Sequence, residues 1–267
     1  MNIKRVTTGL LGFPVVAAVL ILGNTHVIDI AFAIIAAMSL HEYFNAMKAK
    51  SKPVIWIGYV LSAMIALIHV IPTNWLLNII GIIIPTTILV LFLQVIFSNM
   101  KTNITDIAVT SFGICYITLF LMFIPIIMAK PNGKLLVWYI MFAAWGTDVF
   151  AYIVGKTMGK HKFSSISPNK TIEGCIGGVI GSVLLIILYT MFINYYFDMN
   201  INYLMIGLIG AILSIIGQVG DFAASSIKRY VGIKDFSNLI PGHGGLLDRI
   251  DSVIFIAPFA YFLLILL

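Results

Sequence analysis

The sequence predicts an all-α, polytopic integral membrane protein with about nine transmembrane helices. Three observations predict it. Of 267 residues, 61% are hydrophobic and only 10% charged, with a mean hydropathy of +1.07, whereas soluble domains carry roughly 25% charged residues. Apolar runs long enough to cross a bilayer recur nine times. The cations fall unevenly between the loops that those runs leave. Such a composition excludes a soluble enzyme, a disordered chain and a disulfide scaffold.

The runs can be taken in order. The first, 6–23, follows Lys4 and Arg5 and mimics a signal peptide, but no convincing small-x-small cleavage site follows, so it reads as a retained helix. The runs at 27–47 and 54–71 are the least regular, because His41, Glu42 and His69 interrupt them. Those at 75–97 and 107–129 are nearly featureless. The runs at 134–155, 172–197 and 201–222 frame two long loops. The last run, 252–267, is short, and its start can be set as early as Leu246. With these spans, 14 of the 16 Lys and Arg fall on one side, leaving only Lys130 and Lys134 on the other. Cytoplasmic loops are the cation-rich ones, so that side is expected to face the cytoplasm. The net charge of +6 then reflects loops meeting anionic lipid, not a nucleic-acid partner. No repeat or linker interrupts the chain. It reads as one membrane domain over 1–267, with 1–130 mainly scaffold and 131–267 carrying the chemistry.

Several features are set aside. Cys115 and Cys175 lie in apolar runs and read as packing residues. Gly155-Lys156-Thr157 resembles the end of a phosphate-binding loop, but Phe150 stands where that loop needs glycine. The sequon at Asn103 falls in a cytoplasmic loop and is expected to be idle. His26 and His69 read as interfacial or packing residues. His41-Glu42 is odder inside a span and could pair with a neighbouring helix.

Charge concentrates in residues 148–173 and 221–251, which hold 14 of the 26 formal charges. Asp148 sits inside a span, where a carboxylate costs several kcal/mol unless paired, hydrated or bound to a cation. Asp221, Ser225, Lys228 and Arg229 share one helical face, a set suited to a metal-bound phosphate. The alternative is that the two cations reach out to lipid headgroups. Residues 239–245 form a Gly-rich turn whose amides, around Gly244 and Gly245, could approach phosphate oxygens. Asp248 and Asp251 follow at i,i+3, a spacing at which two carboxylates can share a divalent cation. Ser167 and Pro168 read as the cap and first residue of a helix. Lys170 would then oppose the helix dipole unless an anion binds there.

Read together, Ser225 to Asp251 resembles the C-terminal motif of the phosphatidate cytidylyltransferase (CDP-diacylglycerol synthase) family. That motif reads S-x-x-K-R-x4-K-D-x5-P-G-H-G-G-x-x-D-R-x-D, and every fixed position is met. Ser167 to Gly174 is similar to the family's S-P-x-K-T-x-E-G element. Thr147-Asp148-Val149-Phe150-Ala151-Tyr152 departs locally from a D-T-x-A-Y pattern while keeping Asp148, Ala151 and Tyr152. The resemblance covers about residues 145–260.

The resemblance implies the reaction of CTP with phosphatidate to give CDP-diacylglycerol and pyrophosphate. It also implies a divalent cation, usually magnesium, with a second cation possible, a homodimer, and a site on the cytoplasmic face of a bacterial plasma membrane. On this reading Asp221 and Asp248 are the first-choice metal ligands, with Asp251 and Asp148 behind them. Lys170, Lys228 and Arg229 would hold triphosphate or lipid phosphate, and Arg249 would neutralise the leaving pyrophosphate. Ser167, Thr171, Glu173, Ser225, Gly244 and Gly245 are assigned to the substrate site. His243 orders the loop or touches phosphate. Two rivals stay open: a CTP-dependent lipid kinase, and a cation- or proton-coupled transporter with buried acids.

Overall fold

The computed structural model describes residues 14, 16–71, 73–164, 166–240, 242 and 244–265. Eight helices follow the helical residues 16–22: α1 (Thr25–Met47), α2 (Ile55–Met64), α3 (Thr73–Phe97), α4 (Ile104–Met128), α5 (Gly133–Met158), α6 (Ile172–Phe197), α7 (Tyr203–Val231) and α8 (Leu247–Leu264). Among the described residues the only extended pairings are two isolated bridges, Lys162 with Thr171 and Ile240 with Gly244. The all-α expectation therefore holds. A helix that crosses lipid satisfies its backbone polar groups within its own segment.

Among the described residues, five helices (α1, α4, α5, α6 and α7) are long and apolar enough to cross a bilayer. Two shorter apolar stretches, Ile55–Leu67 and Gly81–Phe97, accompany them. Most of the expected first span, 6–23, lies outside the described residues. Helix α8 begins at Leu247, at the early limit expected from the sequence, so Asp248 and Asp251 both lie in its first turns.

The chain divides into two compact units, one made of Met1–Ala129 with Val231–Arg249 and the other of Lys130–Tyr230 with Ile250–Leu267. In the first unit, polar side chains inside apolar helices find partners. Asn24 caps α1 by accepting from the Val27 amide at 2.9 Å. Buried Asp29 holds His69 Nδ1 at 2.7 Å, which gives His69 a structural partner. Ser62 and Thr118 meet at 3.1 Å, and the Val54 amide donates to Thr110 Oγ1 at 2.9 Å. Asn103 and Asp106 form a reciprocal cap at the start of α4. Asp106 also accepts from the Lys52 amide at 2.5 Å.

In the second unit, α5 and α6 pack closely along small residues. A Cβ at Gly174 would fall 2.8 Å from the Ala151 carbonyl, and one at Gly178 would fall 2.9 Å from that of Thr147. Close approach of this kind is how helices associate in lipid, where burial of apolar surface gives little driving force. Hydroxyls add cross-links: Tyr139 to Thr190 at 2.9 Å, and Thr147 to Ser214 at 2.5 Å.

Candidate active site

The second unit gathers charge where α5, α7 and α8 carry their acids. Asp251 is buried, and its electrostatic neighbours are Asp221, Lys228 and Asp148. Helix α7 approaches α8 closely at this level, since a Cβ on Gly220 would lie 2.8 Å from the Asp251 carbonyl. Lys228 is itself buried at 9% exposure, whereas Arg229, the next residue, is exposed. The face expected for Asp221, Ser225, Lys228 and Arg229 thus splits. Lys228 turns inward to the carboxylates, and Arg229 Nε reaches the Ile166 carbonyl at 3.5 Å. Three carboxylates in one neighbourhood repel each other, and the repulsion falls when cations enter.

One such cation comes from the loop between α5 and α6. Lys170 Nζ pairs with Asp221 and lies 4.4 Å from the centroid of the Phe222 ring. Phe163 stacks on the same Phe222 at 4.7 Å. Backbone bonds from Phe163 to Lys170 (2.9 Å) and from Ile172 to His161 (2.9 Å) close the loop on itself. Glu173 accepts from the Lys160 and His161 amides and from His161 Nδ1 at 2.6 Å.

This loop corrects one expectation. Ser167 and Pro168 do not start the helix. Thr171 is the cap, accepting from the Gly174 amide at 3.1 Å, and α6 begins at Ile172. Ser167 instead closes a turn, its carbonyl accepting from the Lys170 amide. Pairing of residues 161–163 with 170–172 delays the helix, so Lys170 lies one residue before the cap and turns to Asp221. The sequence signal for this cap is Thr171 three residues ahead of Gly174, with acidic Glu173 in the first turn.

The Gly-rich turn belongs to the first unit. Gly242 (φ 79°) and Gly244 (φ 82°) adopt the left-handed conformation that glycine tolerates. The Ile240 amide donates to the Gly244 carbonyl at 2.8 Å. Asp248 Oδ2 accepts from the Phe236 amide at 2.8 Å and the Gly245 amide at 3.0 Å. The Gly245 amide, expected to face phosphate, is thus engaged by a carboxylate. His243 lies outside the described residues. Arg249 is exposed on the first turn of α8.

The sequence marks Glu42 as an oddity that could pair with a neighbouring helix, but does not mark the partners it has. Glu42, buried in α1 at 5% exposure, accepts from Ser237 Oγ at 2.6 Å and from the Leu246 and Leu247 amides at 2.9 and 2.8 Å. The only signal available was an acid inside an apolar run.

The donor chemistry of the second unit suits a hard divalent cation, which takes oxygen ligands. Asp221 and Asp148 supply carboxylates in electrostatic range of Asp251. Among the described residues, however, no group of three or more His, Cys, Asp or Glu stands at metal-binding spacing. Side chains would have to converge on an ion as it bound.

The Cytidylyltransferase family profile matches residues 3–267, effectively the whole chain. The chain belongs to that family. It is 33% identical over 265 residues to a Staphylococcus haemolyticus protein named phosphatidate cytidylyltransferase, covering 98% of each chain. A Bacillus subtilis protein of the same name is 32% identical over 275 residues, covering 98% of this chain and 97% of the relative. A Synechocystis protein of that name is 31% identical over 296 residues, covering 100% and 98%. For a cytidylyltransferase, a neighbourhood of carboxylates and lysines is the part of the fold best suited to bind phosphate groups.

Proposed function

We propose that this membrane protein transfers the cytidylyl group of CTP to phosphatidate, forming CDP-diacylglycerol and pyrophosphate. The observation that carries the reading is buried Asp251 and Lys228 with half-buried Asp221 and exposed Asp148 in electrostatic range of Asp251, and Lys170 paired to Asp221, in a cytidylyltransferase whose full-length relatives are named for phosphatidate.

In this reaction a phosphate oxygen of phosphatidate attacks the α-phosphorus of CTP. The new P–O bond forms as the bond to the β-phosphate bridging oxygen breaks, and pyrophosphate leaves with that electron pair. The attacking oxygen is already an anion, so the protein needs no strong general base. Its tasks are alignment and neutralisation of charge. Lys228 and Lys170, set beside the carboxylates, would bind phosphate oxygens, and Arg229 and Arg249 would meet phosphate from the solvent side. Asp221 and Asp251, with Asp148, would hold magnesium, and Asp248 is proposed as a ligand of a second cation. Bound there, the ion would neutralise phosphate charge as it shifts toward the leaving group. Thr171 and Glu173 serve by setting the start of α6 and the loop that carries Lys170. The chain would cross a bacterial plasma membrane with its cation-rich loops in the cytoplasm, where CTP is found.

Purified protein given phosphatidate, CTP and magnesium should release pyrophosphate and CDP-lipid in equal amounts, and EDTA should stop both. CDP with a newly phosphorylated lipid would instead mean γ-phosphoryl transfer and would reject the proposal.

A further inference from the structure

Glu42 stands 203 residues from Gly245 in sequence, yet it is where the Gly-rich turn and the start of α8 are anchored. Its Oε1 accepts from Ser237 Oγ (2.6 Å) and the Leu246 amide (2.9 Å). Its Oε2 accepts from the Leu247 amide (2.8 Å). All three described donors are neutral. On the other side of the turn, Asp248 takes the Gly245 and Phe236 amides. Three successive amides, those of Gly245, Leu246 and Leu247, are therefore bound by two carboxylates. A helix start leaves its first amides without intrahelical partners. Charge-assisted bonds to such amides are roughly twice as strong as neutral ones.

The contact also explains why residue 245 is glycine. A Cβ there would sit 2.5 Å from Glu42 Oε2 and 2.8 Å from its carboxyl carbon. The backbone comes so close to Glu42 that a side chain at 245 would displace its carboxylate. Gly244 is needed for its positive φ, and Gly245 for this approach.

We infer that Glu42 is a positioning residue for the transfer reaction: through the Leu246 and Leu247 amides and Ser237 it sets the geometry of the turn that carries Asp248 and Arg249. The inference rests on the cytidylyltransferase reading above. In this role Glu42 needs no contact with substrate. Its effect passes through the backbone of residues 237–247, and a misplacement of about 1 Å in such a frame can cost roughly 100-fold in rate.

The test compares wild type with Glu42→Ala, Glu42→Gln, Gly245→Ala and the double variant Glu42→Ala/Gly245→Ala. Each is purified in detergent and assayed for CDP-lipid formation from phosphatidate and CTP. Glu42→Ala should lower kcat about 100-fold while KM for phosphatidate stays within about twofold, with unchanged size-exclusion elution. Glu42→Gln, which keeps the size and one acceptor oxygen, should fall between that variant and wild type. Gly245→Ala should lose activity to a similar degree. The double variant should lose little beyond either single change, because both break the same contact.

Full kcat in folded Glu42→Ala protein would overturn the inference, as would multiplicative losses in the double variant. So would an activity loss that only follows the amount of folded protein, or failure of both Glu42 variants to fold, since each marks a purely structural role. A wild type that makes no CDP-lipid would defeat the reading of function instead, so the two failures are distinguishable.

Discussion

Two regions of the molecule use carboxylates in opposite ways. In the first unit, Glu42 and Asp248 accept from backbone amides and a hydroxyl, and so fix the path of a turn. In the second unit, Asp221, Asp148 and Lys228 act electrostatically on Asp251, and Asp221 pairs with Lys170. Carboxylates that bond amides gain stability from a fixed partner. Carboxylates that share a neighbourhood with each other repel, and that arrangement persists where a ligand or ion repays it. The difference separates Glu42, whose carboxylate holds a turn, from Asp221 and Asp251, the acids proposed for chemistry.

Asp221→Asn should break the comparison most sharply. It removes the charge that meets Lys170 and faces Asp251, and kcat should fall about 1000-fold or more in protein that still elutes as folded. Lys228→Gln should come next, at about 100-fold, because this buried cation, proposed to bind the reacting phosphates, would act mainly in the transition state. Its neighbour Arg229 sharpens the point. Arg229→Gln, on an exposed side chain, should change kcat/KM only about threefold, mostly through KM, since exposed charge interactions are weak. A Lys228 variant as mild as the Arg229 variant would erase the distinction between the two cations.

Smaller effects test the frame. Thr171→Ala removes the cap of α6 and should cost about 1 kcal/mol of stability, read as a lower Tm, with a modest loss of turnover. Asp29→Asn weakens the buried partner of His69. It should lower Tm by a few degrees and leave kcat unchanged, because that pair belongs to the packing of α1. A large kcat effect at Asp29 would place chemistry where this account places none.

Much of this was legible in the sequence, for reasons that differ by residue. The long helices follow from apolar runs whose length a bilayer dictates. Asp221, Lys228 and Asp251 stood out because charge is scarce elsewhere and their spacings are short. The start of α6 was misread because Ser167-Pro168 has good capping chemistry, while the backbone pairing of residues 161–163 with 170–172 that delays the helix depends on loop closure. Arg229 could not be separated from Lys228 by spacing, since one residue of rotation decides which turns inward. Glu42 was visible only as an oddity. Its partners at 237, 246 and 247 are distant in the chain, and backbone amides carry no sequence signature.

The most direct measurement of the central claim counts pyrophosphate and CDP-lipid in the same sample for wild type and Asp251→Asn, with phosphatidate, CTP and magnesium. Wild type should give equal amounts of both products and Asp251→Asn neither, although the variant elutes as folded protein. Turnover of Asp251→Asn within about twofold of wild type would contradict it.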